Sequence, residues 1–177
     1  NKMRQVISLY IFFLFAIALV FASEERDLFK VARNGNASQM REVLASGTDL
    51  TIKDASGRSA LMQSVLYGNQ ETALVLLENA VDLETRDELG LTPLTLSVRY
   101  GDVEMTRILL EHGASVESKM EDGSTPLIFA ALEGQLSAVR LLLEYKSDVS
   151  VRTAYGETAL IVASFEGFLG GPPHCFS

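Results

Sequence analysis

The chain has 177 residues, 47% of them hydrophobic and 21% charged, which excludes intrinsic disorder and fits one folded domain of ordinary size. A formal net charge of −8 runs against the basic excess that phosphate neutralisation demands, so nucleic acid is not an expected partner. With one cysteine, Cys175, and two histidines, His112 and His174, no intrachain disulfide or thiolate zinc cage can be assembled, few general bases are at hand, and neither cofactor nor metal is expected.

At the amino terminus Lys2 and Arg4 precede an uncharged run from Val6 to Ala22, which breaks into the acidic Ser23-Glu24-Glu25-Arg26-Asp27. A basic end, an apolar run and small residues before a polar segment form the succession of an export signal. Residues 1–22 are therefore expected to be a signal peptide cut after Ala22. Ala16-Ile17-Ala18 fits the small-x-small rule better, but a cut there would strand Leu19-Val20-Phe21 on the mature end. The alternative is an uncleaved signal anchor, since 17 apolar residues stand at the lower limit for a hydrocarbon core of about 30 Å. The expected location is thus exported, secreted or periplasmic, with membrane anchoring as the alternative. Without residues 1–22 the chain carries 13 basic against 23 acidic residues, a net of −10. In a eukaryotic export pathway Asn36-Ala37-Ser38 would be a glycan acceptor sequence.

Past residue 23 the sequence repeats with a period of 33 residues. Gly57, Gly90, Gly123 and Gly156 form one series, and Gly35, Gly68, Gly101, Gly134 and Gly167 form another. Residues 23–53 read as a divergent capping unit whose Glu24, Glu25 and Asp27 complement a helix amino terminus. Residues 54–86, 87–119 and 120–152 are full units. In each, a hydroxyl residue (Ser59, Thr92, Thr125, and again Thr158) is set to cap a first helix, with Pro93 and Pro126 at its first position. Gly68, Gly101, Gly134 and Gly167 should stop that helix, where a positive φ is cheap only for glycine. A second helix follows, with an apolar face such as Val103, Ile108, Leu109 and Leu110. Gly47 and Gly113 can terminate it, while Ala80 and Lys146 stand in that place in the other copies. Asp54-Ala55-Ser56-Gly57 and Asp87-Glu88-Leu89-Gly90 supply the turn into the next unit. Residues 153–169 make an incomplete unit and 170–177 a non-repeat tail, where Gly170-Gly171-Pro172-Pro173 forbids a second helix and leaves Leu160, Ile161 and Phe165 without cover.

This pattern resembles the ankyrin repeat over about residues 24–169, with Thr-Pro-Leu opening the first helix at Thr92-Pro93-Leu94 and Thr125-Pro126-Leu127. The resemblance implies an all-α fold, an ankyrin-repeat solenoid of stacked helix-turn-helix units with projecting β-turns. The family's histidine after Thr-Pro-Leu is replaced by Met62, Thr95, Ile128 and Ile161, so the hydrogen-bond ladder it supplies must be weaker or made by other groups. It also implies binding of a protein partner along a concave surface made of turn tips and exposed first-helix sides, with no obligate oligomer. Transferred position by position, that surface comprises Arg58, Tyr67, Glu88, Leu89, Leu91, Arg99, Tyr100, Glu121, Asp122, Leu132, Glu133, Tyr155 and Phe165. The large apolar entries either anchor a partner or cover neighbouring repeats. Lys53, Arg86, Lys119 and Arg152 form a basic ladder that either meets an anionic ligand or pairs with Asp54, Asp87 and Asp122.

No catalytic residue is assigned. His112, in Leu110-Glu111-His112-Gly113, suits a helix carboxy terminus, and Glu24-Glu25 and Glu121-Asp122 read as solvated carboxylates. A remote alternative is an enzyme using surface carboxylates, for which no nucleophile-base pair or phosphate loop is visible.

Overall fold

Capping chemistry sets each helix start. In the computed structural model, which describes residues 28–169, the Ser59, Thr92 and Thr125 side chains accept from the amides of Met62, Thr95 and Ile128 at 3.3, 3.3 and 3.4 Å. These caps open α3 (Ala60–Leu66), α5 (Pro93–Arg99) and α7 (Pro126–Leu132), with proline at the amino end of α5 and α7. Each ends at a glycine of the second series. Gly101, at φ +68°, donates its amide back to the Val98 carbonyl and turns the chain into the next helix.

The second helices are α4 (Gln70–Leu77), α6 (Val103–Glu111) and α8 (Leu136–Glu144). Ahead of them lie α1 (28–34) and α2 (Ala37–Ala45), and the chain closes on α9 (Ala159–Leu169). All nine elements among the described residues are helices, and no strand occurs among them. The first helices pack in a row, α3 on α5, α5 on α7 and α7 on α9, and the second helices form a layer behind them. Their shared core runs from Leu28 through Leu61, Met62, Leu76, Leu94, Met105, Leu109 and Leu127 to Leu142, so each unit is buried by its neighbours. The all-α solenoid that the resemblance implies is the observed fold of the described residues.

Between units each turn closes in the same way: Asp54, Asp87, Met120 and Thr153 donate their amides to the carbonyls of Arg58, Leu91, Ser124 and Glu157. Side chains then tie one repeat to the next. Asn69 Nδ2 donates to the Ala32 and Arg33 carbonyls, both at 2.8 Å, and Glu84 Oε1 accepts from the Ser115 amide at 2.8 Å. One period on, Glu117 Oε1 accepts from the Asp148 amide at 2.7 Å and the Ser147 hydroxyl at 3.0 Å.

One expectation is corrected. Gly167 does not stop α9, which runs eleven residues to Leu169 where α3, α5 and α7 have seven. In the other units the glycine is followed by Asn69, Asp102 or Gln135, which opens a second helix; after Gly167 come Phe168 and Leu169, and nothing draws the chain out of the helix. For the missing histidine, both of the expected outcomes occur among the described units. In the third unit Thr92 Oγ1 meets Thr95 Oγ1 at 3.1 Å and Ser118 Oγ at 3.3 Å, so hydroxyls form the polar link there, whereas Met62 and Ile128 are simply buried. The expected signal peptide (1–22), the acidic start of the cap and the tail (170–177) lie outside the described residues. No helix among the described residues is long and apolar enough to cross a membrane.

Candidate functional site

The turn tips are built by carboxylates that hold backbone amides. Asp54 Oδ1 accepts from Ser56 and Arg58, and Asp87 Oδ1 from Leu89 and Leu91, at 2.8 to 3.0 Å. Thr153 does the same with its hydroxyl, for Tyr155 and Glu157. At Met120, which has no such oxygen, Asp122 serves instead and accepts from the Ser124 amide and hydroxyl. Engaged in this way, Asp54, Asp87 and Asp122 are not the partners of the basic ladder. Arg86 Nη1 and Arg152 Nη1 donate to the Gly90 and Gly156 carbonyls of their own turns, and Lys53 Nζ to the Arg86 carbonyl. The Asp87 carboxylate is paired with Arg58 at 3.5 Å.

Leu91 does not belong on the binding surface. It is 3% exposed, because both the amide bond to Asp87 and the return bond from the Asp87 amide to its carbonyl turn it inward onto the core. Arg58 is half-buried by its pairing with Asp87. The neighbouring Leu89 is 62% exposed, and Glu88, Arg99, Glu121 and Asp122 are exposed as well.

Tyr67, Tyr100 and Glu133 occupy one structural position, the residue that closes α3, α5 and α7. Since those helices stack side by side, the three stand in a row. Tyr67 and Tyr100 are 55% and 56% exposed, so about half of each ring is free of the solenoid. A shallow depression of about 340 Å³ lies between the turns of the third and fourth units and brings Arg86 and Lys119 together with Glu88 and Glu121. Leu132 and Glu133, in contrast, line a larger apolar groove of about 530 Å³ at the carboxy-terminal face. Tyr155 is exposed on the last turn and Phe165 on α9.

That end groove also takes in Leu136, Leu143 and Val149, which the sequence reading did not single out. The period held the signal: one and two units earlier these positions are Val103, Leu110 and Val116, then Gln70, Leu77 and Leu83, each buried or half-buried beneath the next unit.

Among the described residues no group of three or more His, Cys, Asp or Glu is arranged to hold a metal ion. His112 Nδ1 lies 2.7 Å from the Ile108 carbonyl, a local bond at the end of α6. The amide and hydroxyl of Thr51 hold the exposed Asp49 carboxyl below its ordinary range, and the hydroxyl and amide of Ser150 do the same for Asp148. Both are turn-forming carboxylates. Asn36 is exposed and uses Oδ1 to cap α2 through the Gln39 amide at 2.9 Å.

A family model described as ankyrin repeats in three copies matches residues 28–120, and a second, described as ankyrin repeats in many copies, matches residues 109–163. A search of curated proteins gave no match.

Proposed function

The chain belongs to the ankyrin-repeat family, and from that premise we propose that it is an exported scaffold, without catalytic activity, that captures a protein partner on its concave surface. Ankyrin repeats imply a protein-interaction scaffold; export, the binding face and the partner's character are our reading. The observation that carries it is the pair of half-exposed tyrosines, Tyr67 and Tyr100, at equivalent positions of adjacent helices, with exposed Leu89 on the turn between their units. Rigid aromatic side chains at exposed positions are where interface energy concentrates. The acidic surface, with Glu121 and Asp122 exposed, favours a partner with a basic face and an association that weakens with salt.

The test is capture by the full chain. Tyr100→Ala with Leu89→Ala should lose the captured partner while circular dichroism and melting stay near the parent, because neither residue belongs to the core. Retained capture would move the binding face elsewhere. Export is supported by the order of Lys2, Arg4, the apolar run and Ala22, and mass spectrometry should find a product beginning near Ser23. An intact amino terminus in the membrane fraction would favour the second reading, a tethered adaptor held by residues 6–22.

A further inference from the structure

The projecting turns are bonded to one another, with one interruption. Where the second and third units join, the Glu88 amide donates to the Ser56 carbonyl at 3.1 Å, and where the fourth and fifth join, the Ala154 amide donates to the Asp122 carbonyl at 2.7 Å. The period places the same bond between the Glu121 amide and the Leu89 carbonyl, and there it does not form. Neither group has another protein partner among the described residues. The glycines report the same gap. A Cβ on Gly57 would stand 3.2 Å from the Glu88 amide nitrogen and one on Gly123 3.4 Å from that of Ala154, but one on Gly90 would meet only the Glu121 side chain, at 3.8 Å. The cause lies in the sequence. Asp54, Asp87 and Thr153 each hold two amides of their own turn, whereas Met120 has no oxygen with which to do so, and its turn stands away from the one before it. The depression of about 340 Å³ lined by Arg86, Glu88, Gly90, Lys119 and Glu121 lies in this gap.

We propose that this gap is a slot for an extended, basic segment of the protein partner, whose main chain donates to the Leu89 carbonyl and accepts from the Glu121 amide. The inference rests on the scaffold reading above and adds to it which part of the partner is held. Two observations select the occupant. First, a free N–H on one side of the gap and a free C=O on the other are the complement of a peptide unit, the pairing by which an extended segment joins a sheet edge. Second, the charges around the gap are unequally committed. Arg86 is tied to the Gly90 carbonyl at 2.9 Å. Lys119 lies near Asp148, whose carboxyl is held low by the Ser150 hydroxyl and amide and drawn down further by that lysine. Glu88 and Glu121 are exposed and form no ion pair among the described residues, so they are the charges left for a ligand, and they call for a basic one. Leu89, 62% exposed, stands on the lip, so the slot continues the concave face instead of opening a separate site.

The probe is the peptide Ac-Lys-Val-Lys-Val-Lys-NH2, whose valines favour an extended chain. Added to the isotope-labelled full chain, it should give saturable NMR shifts at the Glu121 amide and none at the Ala154 amide, which is already bonded. A fully N-methylated peptide, which cannot donate, and a peptide with glutamate in place of lysine should each bind about tenfold more weakly or worse, as should the first peptide to Glu88→Lys with Glu121→Lys. Met120→Asp gives the fourth turn the carboxylate that its neighbours have. It should slow hydrogen exchange at the Glu121 amide and abolish peptide binding, with circular dichroism unchanged. Three results would overturn the proposal: no saturable shift at Glu121, equal binding of the N-methylated peptide, or retained binding by a Met120→Asp chain whose Glu121 amide has become protected. Failure here is separable from failure of the scaffold reading. Partner capture that depends on Tyr100 and Leu89, in a chain that does not take the peptide, sinks the slot alone. Peptide binding by a chain whose capture ignores those two residues keeps the slot and removes the tyrosine face.

Discussion

Ala80 and Lys146 hold positive φ values, +54° and +62°, at the helix ends where the corresponding Gly47 and Gly113 lie at +83° and +93°. A left-handed conformation costs an L-residue about 1–2 kcal/mol, and glycine gives back roughly 0.4–1 kcal/mol through the unfolded chain. Ala80→Gly and Lys146→Gly should therefore each stabilise the fold by about 0.5–1 kcal/mol, read as a raised denaturant midpoint at constant slope. A second contrast lies within one turn. Leu91→Ala should cost about 2–5 kcal/mol, as a large-to-small change in the core, and Leu89→Ala should stay within about 0.5 kcal/mol. Equal effects would contradict the inward turn of Leu91. This placement was not legible in the sequence, since two leucines flanking one glycine look alike until the Asp87 carboxylate sets which of them points inward. The depressed carboxyls of Asp49 and Asp148 contribute stability above the ordinary carboxylate range that is lost only as the pH falls through their lowered values, so both turns should persist in mild acid.

Helix boundaries were legible because their causes are local. Ser59, Thr92 and Thr125 cap where the period places them, and Gly101 ends α5. Gly101→Val should destabilise by more than about 1 kcal/mol. A Cβ at that site would stand 3.5 Å from Gln135 Oε1, an ordinary contact, so the cost comes from forcing a β-branched residue to φ +68°. An unchanged melting temperature would refute that origin. What the sequence concealed is non-local. That Gly167 would be passed over depends on the absence of a helix-opening residue after it, and the Glu84 and Glu117 links to Ser115 and Asp148 join residues 31 positions apart. The basic ladder was visible as a spacing, but its bonds to turn carbonyls depend on carboxylates already committed to amides.

In a stack where each unit touches only its neighbours, stability is a sum of unit and junction terms, and the end with the weaker junction opens first. The amino-terminal junction has Asn69 donating twice across it and Leu28, Val31, Ala32 and Met40 buried beneath it. The last junction has α9 lying on α7, one backbone bond from Ala154 to Asp122 at 2.7 Å, and the Glu117 bonds that hold the loop after α8. Of the α9 side chains through Phe165, only Val162 is buried. Amide hydrogen exchange in dilute solution should therefore be fastest in α9, slower in α7 and α8, and slowest in α5 and α6, where both neighbours are present. Glu117→Ala removes the two bonds at the loop before α9, so it should speed exchange in α9 several-fold and leave α1 to α4 unchanged. Uniform acceleration along the whole chain would mean that the solenoid unfolds as one unit, with no separate terminal step.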